Sequence, residues 1–121
     1  MASHGPEPGP LLSPLSEQQV ARALPSGAGC ELRRGGDMLV VSVGDQAIAR
    51  IDGQLTELTI DALPGPEGAR FRGAGYASIR ITPIPGQSRR LGETLSWPAR
   101  VETFGHDGAS SLFQAIWTCG A

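Results

Sequence analysis

Two cysteines, two histidines and ten arginines are the side chains of this 121-residue chain whose types could carry chemistry. Cys30 and Cys119 stand near opposite ends of the part that reads as folded. Cys30 opens the first strand read from the sequence and Cys119 closes the last. Adjacent first and last strands would bring the thiols together, and a disulfide over so long a loop stabilises by about 4–5 kcal/mol in the chain-entropy model. Such a bond implies an oxidising compartment. The other reading is two unrelated buried thiols in a reducing one. A metal site would need further ligands at close spacing, and the spacing offers none.

His106-Asp107 has the look of a catalytic pair. His4, the other histidine, lies in a Pro/Gly-rich tail, and no nucleophile is placed beside His106. Without a nucleophile and an orienting group the pair is better read as a solvated hairpin tip. A small hydrolase using His106 therefore ranks last, and no catalytic residue is expected. Gly73-Ala74-Gly75 could cradle a phosphate only if a helix followed it. A strand follows instead, so the glycines read as a loop or bulge and no cofactor is expected.

The arginines are unevenly placed. Residues 31–67 carry seven acids (Glu31, Asp37, Asp45, Asp52, Glu57, Asp61, Glu67) and three arginines. Residues 70–100 carry Arg70, Arg72, Arg80, Arg89, Arg90 and Arg100 against Glu93 alone. Either the two halves pair across a sheet, or Arg70, Arg72, Arg80, Arg89 and Arg90 form a surface for an anionic partner.

The elements that must position these residues are mostly strands. Asp37–Ile60, DMLVVSVGDQAIARIDGQLTELTI, reads as three short strands joined by turns at Gly44-Asp45 and Asp52-Gly53. Gly and Asp accept the positive φ that two-residue hairpins require. Residues 1–13 form a mobile or loosely docked tail, and residues 14–121 one β domain. A helix over 16–24 is announced by Ser16 as N-cap, Gln19 completing a capping box, and Leu15 with Val20 as a staple. Pro25 ends it.

Cys30–Arg33 is a first strand, Met38–Val43 an apolar run suited to cover on both sides, and Gln46–Asp52 and Gln54–Ile60 half-buried strands. Residues 61–68 and 86–93 read as loops. Tyr76–Ile84, Thr94–Phe104 and Ser111–Cys119 alternate with period two. Pro83 and Pro98 suggest that the first two of these are edge strands, or that the second carries a bulge. The expected fold is all-β: a small antiparallel barrel or sandwich of seven or eight strands with one short N-terminal helix.

Bulk composition excludes several classes. Gly (17) and Pro (10) punctuate short apolar runs as turn residues. The formal charge of −2 lacks the basic excess of a general nucleic-acid binder. No apolar run approaches the roughly 18 residues of a membrane span. MASHGPEPGP has neither the basic nor the apolar region of a leader, so export implies a signal peptide absent from this chain.

Cys30 on the first strand, Gly53-Gln54-Leu55-Thr56-Glu57-Leu58, and then Gly68-Ala69-Arg70-Phe71 form a pattern over Cys30–Ile81. It resembles the small β-barrel domains related to the membrane-bound lysozyme inhibitor of c-type. Glu67 stands where that family has its inhibitory serine and Phe71 where it has tyrosine. Arg72-Gly73 comes earlier than the family's lysine–glycine pair. The ending Trp117-Thr118-Cys119-Gly120 is similar to small envelope proteins of Gram-negative bacteria.

The resemblance implies an inhibitor-like barrel outside the cytoplasm. The expectation is a non-catalytic periplasmic or cell-envelope binding module, periplasmic or extracellular. Its partner would be a protein or an anionic envelope component, approached through the arginines. The alternative is a structural or assembly protein, homodimeric through an edge strand.

Overall fold

Positive φ at Gly44 (60°), Asp52 (51°) and Gly53 (84°) turns the chain back twice within Asp37–Ile60. Three consecutive antiparallel strands result, β3 (Asp37–Val43), β4 (Gln46–Ile51) and β5 (Gln54–Gly65). The computed structural model describes residues 11–73, 77–105 and 108–120. Before these strands come β1 (Leu12–Ser13), α1 (Glu17–Ala23) and β2 (Gly29–Arg34). After them come β6 (Gly68–Arg72), β7 (Ser78–Pro83), β8 (Arg89–Leu91), β9 (Thr94–Phe104) and β10 (Ser110–Cys119).

Eight strands form a closed antiparallel barrel in the order β4-β3-β2-β10-β9-β7-β6-β5, with β5 returning to β4. The fold is a barrel and not a sandwich. Closure comes from Ala47↔Leu58 through Ile51↔Gln54 on one side, and from β2 lying beside β10 on the other. Cys30 and Cys119 are directly opposite in that second ladder and are joined as a disulfide.

Inward residues alternate along each strand, as a half-buried sheet requires. Leu32, Val40, Phe71, Ile79, Ile81, Val101 and Trp117 are all 2% exposed or less and fill the barrel with the disulfide. A second, smaller core lies outside the ring, where α1 covers β3 and β4. There Leu15 and Leu24 pack with Val41 and Ile48, and Val20 and Met38 lie alongside. This explains the unbroken apolar run of β3, since Val40 faces the barrel and Val41 faces the helix.

The helix begins as its sequence announces. Ser16 Oγ accepts from Gln19 N at 3.1 Å, and Gln19 Oε1 accepts from Ser16 N at 3.0 Å. Leu24 is the C-cap, directly before Pro25. Ser16→Ala should lower the unfolding free energy by about 1 kcal/mol, read from the denaturant midpoint at unchanged slope.

The structure corrects four expectations. The expected 61–68 loop is instead a hairpin, in which β5 runs on to Gly65 and Gly65 pairs with Gly68 at the head of β6. Register shifts after Ile60 and Ala62, together with Pro64, disguise it. At Gly68, with φ 105°, a Cβ would lie 2.1 Å from Ile81 O, so only glycine fits there. The 86–93 segment likewise holds β8, paired with the start of β9. At the other end of the domain, Leu12 and Ser13 pair with Ile51 and Arg50, so the N-terminal segment docks as a short strand.

Neither proline-bearing strand is an edge, because β7 lies between β6 and β9, and β9 between β7 and β10. The β9–β10 ladder runs without a register shift. Ile84 N–H donates to Pro98 O at 2.8 Å, so the nitrogen of Pro83 turns away from β9, past the last β6 pair at Ala69↔Ile81. Pro98 sits between the last β7 partner (Pro83↔Ala99) and the first β8 partner (Arg89↔Ser96). Each proline thus falls where a ladder ends and no N–H is needed.

Candidate binding surface

The same alternation that buries Phe71, Ile79, Ile81 and Val101 sends the intervening residues outward. On β6 these are Arg70 and Arg72, on β7 Ser78, Arg80 and Thr82, and on β9 Arg100 and Glu102. Register decides which of them meet. Arg70 lies directly opposite Arg80, Arg80 opposite Glu102, and Thr82 opposite Arg100. Neighbouring strands are about 5 Å apart and successive outward residues about 7 Å apart, so Arg70, Arg80 and Arg100 share one surface.

Directly opposed like charges destabilise a sheet pair. Nearby compensation is slight. Arg80 Nη1 lies 4.0 Å from Glu102 Oε1, with Arg80 exposed and Glu102 partly so, a contact contributing under about 1 kcal/mol.

The five arginines singled out from the sequence do not all gather here. Arg72 is held by Asp61 of β5, with Nε donating to Oδ2 at 2.8 Å and to Oδ1 at 3.0 Å. That hydrogen bond, and then the carboxylate's charge, raise the guanidinium further above its ordinary value. Arg89 pairs with Ser96, which puts it on the outer face beyond Arg100. Arg90 pairs with Leu95 and lines the barrel mouth beside the disulfide. That mouth is a cavity of about 420 Å³ whose other walls include Glu93, Trp97 and Pro64.

Arg100 belongs to the surface although it was not among the candidates. Its signal was available, because Leu95, Trp97, Ala99 and Val101 occupy the inward parity and leave residue 100 outward. Of the cross-half pairing expected between acids and arginines, Asp61–Arg72 is the ion pair present among the described residues; Arg33–Glu31 lies within the acidic half, and Arg80–Glu102 joins the arginine-rich half to an acid just beyond it.

The remaining chemistry is sparse. His4, His106, Asp107, Ala74, Gly75 and Tyr76 lie outside the described residues. The buried hydroxyls of Thr103 and Ser111, cross-strand neighbours, have no hydrogen-bond partner. No group of three or more His, Cys, Asp or Glu gathers among the described residues in a way that could hold a metal ion. No described helix is long and apolar enough to cross a membrane. No family model, no curated protein and no solved structure matches the chain.

Proposed function

We propose that this protein is a non-catalytic binding module of the periplasm or cell envelope, and that it engages an anionic partner through Arg70, Arg80 and Arg100. The observation that carries this reading is the direct opposition of Arg70 and Arg80, with Arg100 in the adjoining row and Glu102 the one acid in register with them. A sheet that keeps two arginines directly opposite each other gives up stability when free and recovers it when an anion bridges them. The Cys30–Cys119 disulfide favours an oxidising compartment.

The homodimer reading has less to draw on. Ring closure gives each barrel strand two neighbours, so among the described residues no barrel strand is open along a whole edge; free edges are left on β1, on β8 and on parts of longer strands such as Ser110–Ala115 of β10. The inhibitor version rests on the resemblance, and Glu67, exposed in the β5–β6 turn, departs from it.

Titration with heparin, a soluble polyanion, tests the anionic-partner reading. Binding should weaken as salt rises, and Arg70→Glu with Arg80→Glu should lower affinity at least about tenfold, since each reversal replaces an attraction by a repulsion. Affinity indifferent to salt and to both reversals would contradict it. Adding c-type lysozyme in the same assay tests the inhibitor version separately.

A further inference from the structure

The arginine surface does not stand alone. Among the exposed large apolar side chains, Leu91 (80%), Leu112 (65%) and Ile116 (44%) border it. Leu112 is opposite Glu102, itself opposite Arg80; Gln114 is opposite Arg100, and Ile116 opposite Pro98. Leu91 is two residues beyond Arg89 on β8 and shares its outward parity. Cations on β7 and β9 therefore adjoin single aliphatic side chains on β10, and β8 at one end carries both Arg89 and Leu91.

We infer that this face docks the barrel onto an anionic lipid surface. The inference rests on the anionic-partner reading and names the partner. A headgroup layer meets both halves of the surface at once: lipid phosphates match the guanidinium groups, and the acyl boundary just beneath takes up Leu112, Ile116 and Leu91.

Other anionic partners use only part of the surface. An acidic polysaccharide would engage the arginines and gain nothing from the aliphatics. Single-stranded nucleic acid is held by several aromatic platforms, whereas the outward residues here are Arg, Glu, Ser, Thr, Pro, Gln, Leu and Ile, with half-buried Phe104 at the end of β9 the one aromatic among them. A protein interface centres on a packed aromatic or arginine anchor in a pocket, whereas these aliphatics project singly from a convex sheet.

Co-sedimentation with vesicles tests the inference, using phosphatidylcholine alone and phosphatidylcholine with 30% phosphatidylglycerol. The protein should pellet with the anionic vesicles and not with the neutral ones, and high salt should release it. Arg80→Ala with Arg100→Ala should lower partitioning about 25-fold, about fivefold for each arginine near a charged membrane surface. Leu112→Ser with Ile116→Ser should lower it about tenfold while leaving heparin affinity unchanged. All four side chains are exposed, so the variants should fold, as circular dichroism will check.

Heparin binding without vesicle binding would overturn the lipid inference and leave the anionic-partner reading standing. Loss of both would remove both. Vesicle binding indifferent to Leu112 and Ile116 would also overturn the inference.

Discussion

Replacing Cys30 and Cys119 together by alanine should lower the unfolding free energy by about 4 kcal/mol and the midpoint temperature by roughly 15 °C. The two residues are 89 apart in sequence yet directly opposite in the β2–β10 ladder. That ladder survives loss of the sulfur bond, because Ile116↔Arg33 through Thr118↔Glu31 still pair. Most of the effect therefore acts on the unfolded chain, which is released from a loop spanning nearly the whole domain.

A single domain of this size has on the order of 5–15 kcal/mol in total, so the loss should be plain in urea unfolding with and without reductant. Both cysteines are under 10% exposed, so reductant should act slowly on the native protein and quickly once it is denatured. A double variant that melts within two or three degrees of the parent would show that the bond does not restrain the unfolded chain as its long loop implies.

Trp117→Ala should cost about 4 kcal/mol, the second large effect. The side chain is fully buried, opposite Trp97 on β9 and Leu32 on β2. Its Nε1–H donates to Gly65 O at 2.8 Å, across the barrel. That bond ties the β5–β6 hairpin to the disulfide end of the barrel, whose mouth Pro64, Gly65 and Pro66 help to line.

Trp117→Phe separates the two contributions. It keeps an aromatic ring but loses the donor and part of the volume, and should cost about 2 kcal/mol. Hydrogen exchange adds a local reading, because the phenylalanine variant should expose amides of Gly65–Ala69 well before those of β9 and β10. Equal protection in both regions would mean that the indole bond does not hold the hairpin.

Much of this fold was legible because local chemistry and tertiary need coincide. Ser16 and Gln19 form the capping box their spacing announces. Gly44 and Asp52-Gly53 take the positive φ of tight turns, and the clean alternation of Ser111–Cys119 is the inward face of β10. What escaped was wherever neighbours across the sheet override local composition. DALPGPEG has the residues of a loop, yet it carries the end of β5 because bulges absorb its misfit.

GARFR is a strand whose A-R-F-R alternation was the available signal. Pro83 and Pro98 suggested edges, whereas they lie at ladder ends within a closed ring. The arginine surface was half legible for the same reason. Parity along a strand says that Arg70, Arg80 and Arg100 face outward. Which of them stand opposite each other depends on register, which the close approach of Gly68 to Ile81 O helps to fix between β6 and β7. Asp61 similarly withdraws Arg72 through a contact between strands that single-strand periodicity does not contain.

The most direct test of the account is to map where an anionic ligand touches the protein. Amide and guanidinium NMR shifts should be followed residue by residue through a heparin titration at low salt. Changes should concentrate on Arg70, Arg80, Arg100 and Arg89 and on the outer faces of β6, β7 and β9, with α1 and β3 unmoved. Shifts centred instead on the helix or the disulfide mouth, or no shifts at saturating ligand, would contradict it.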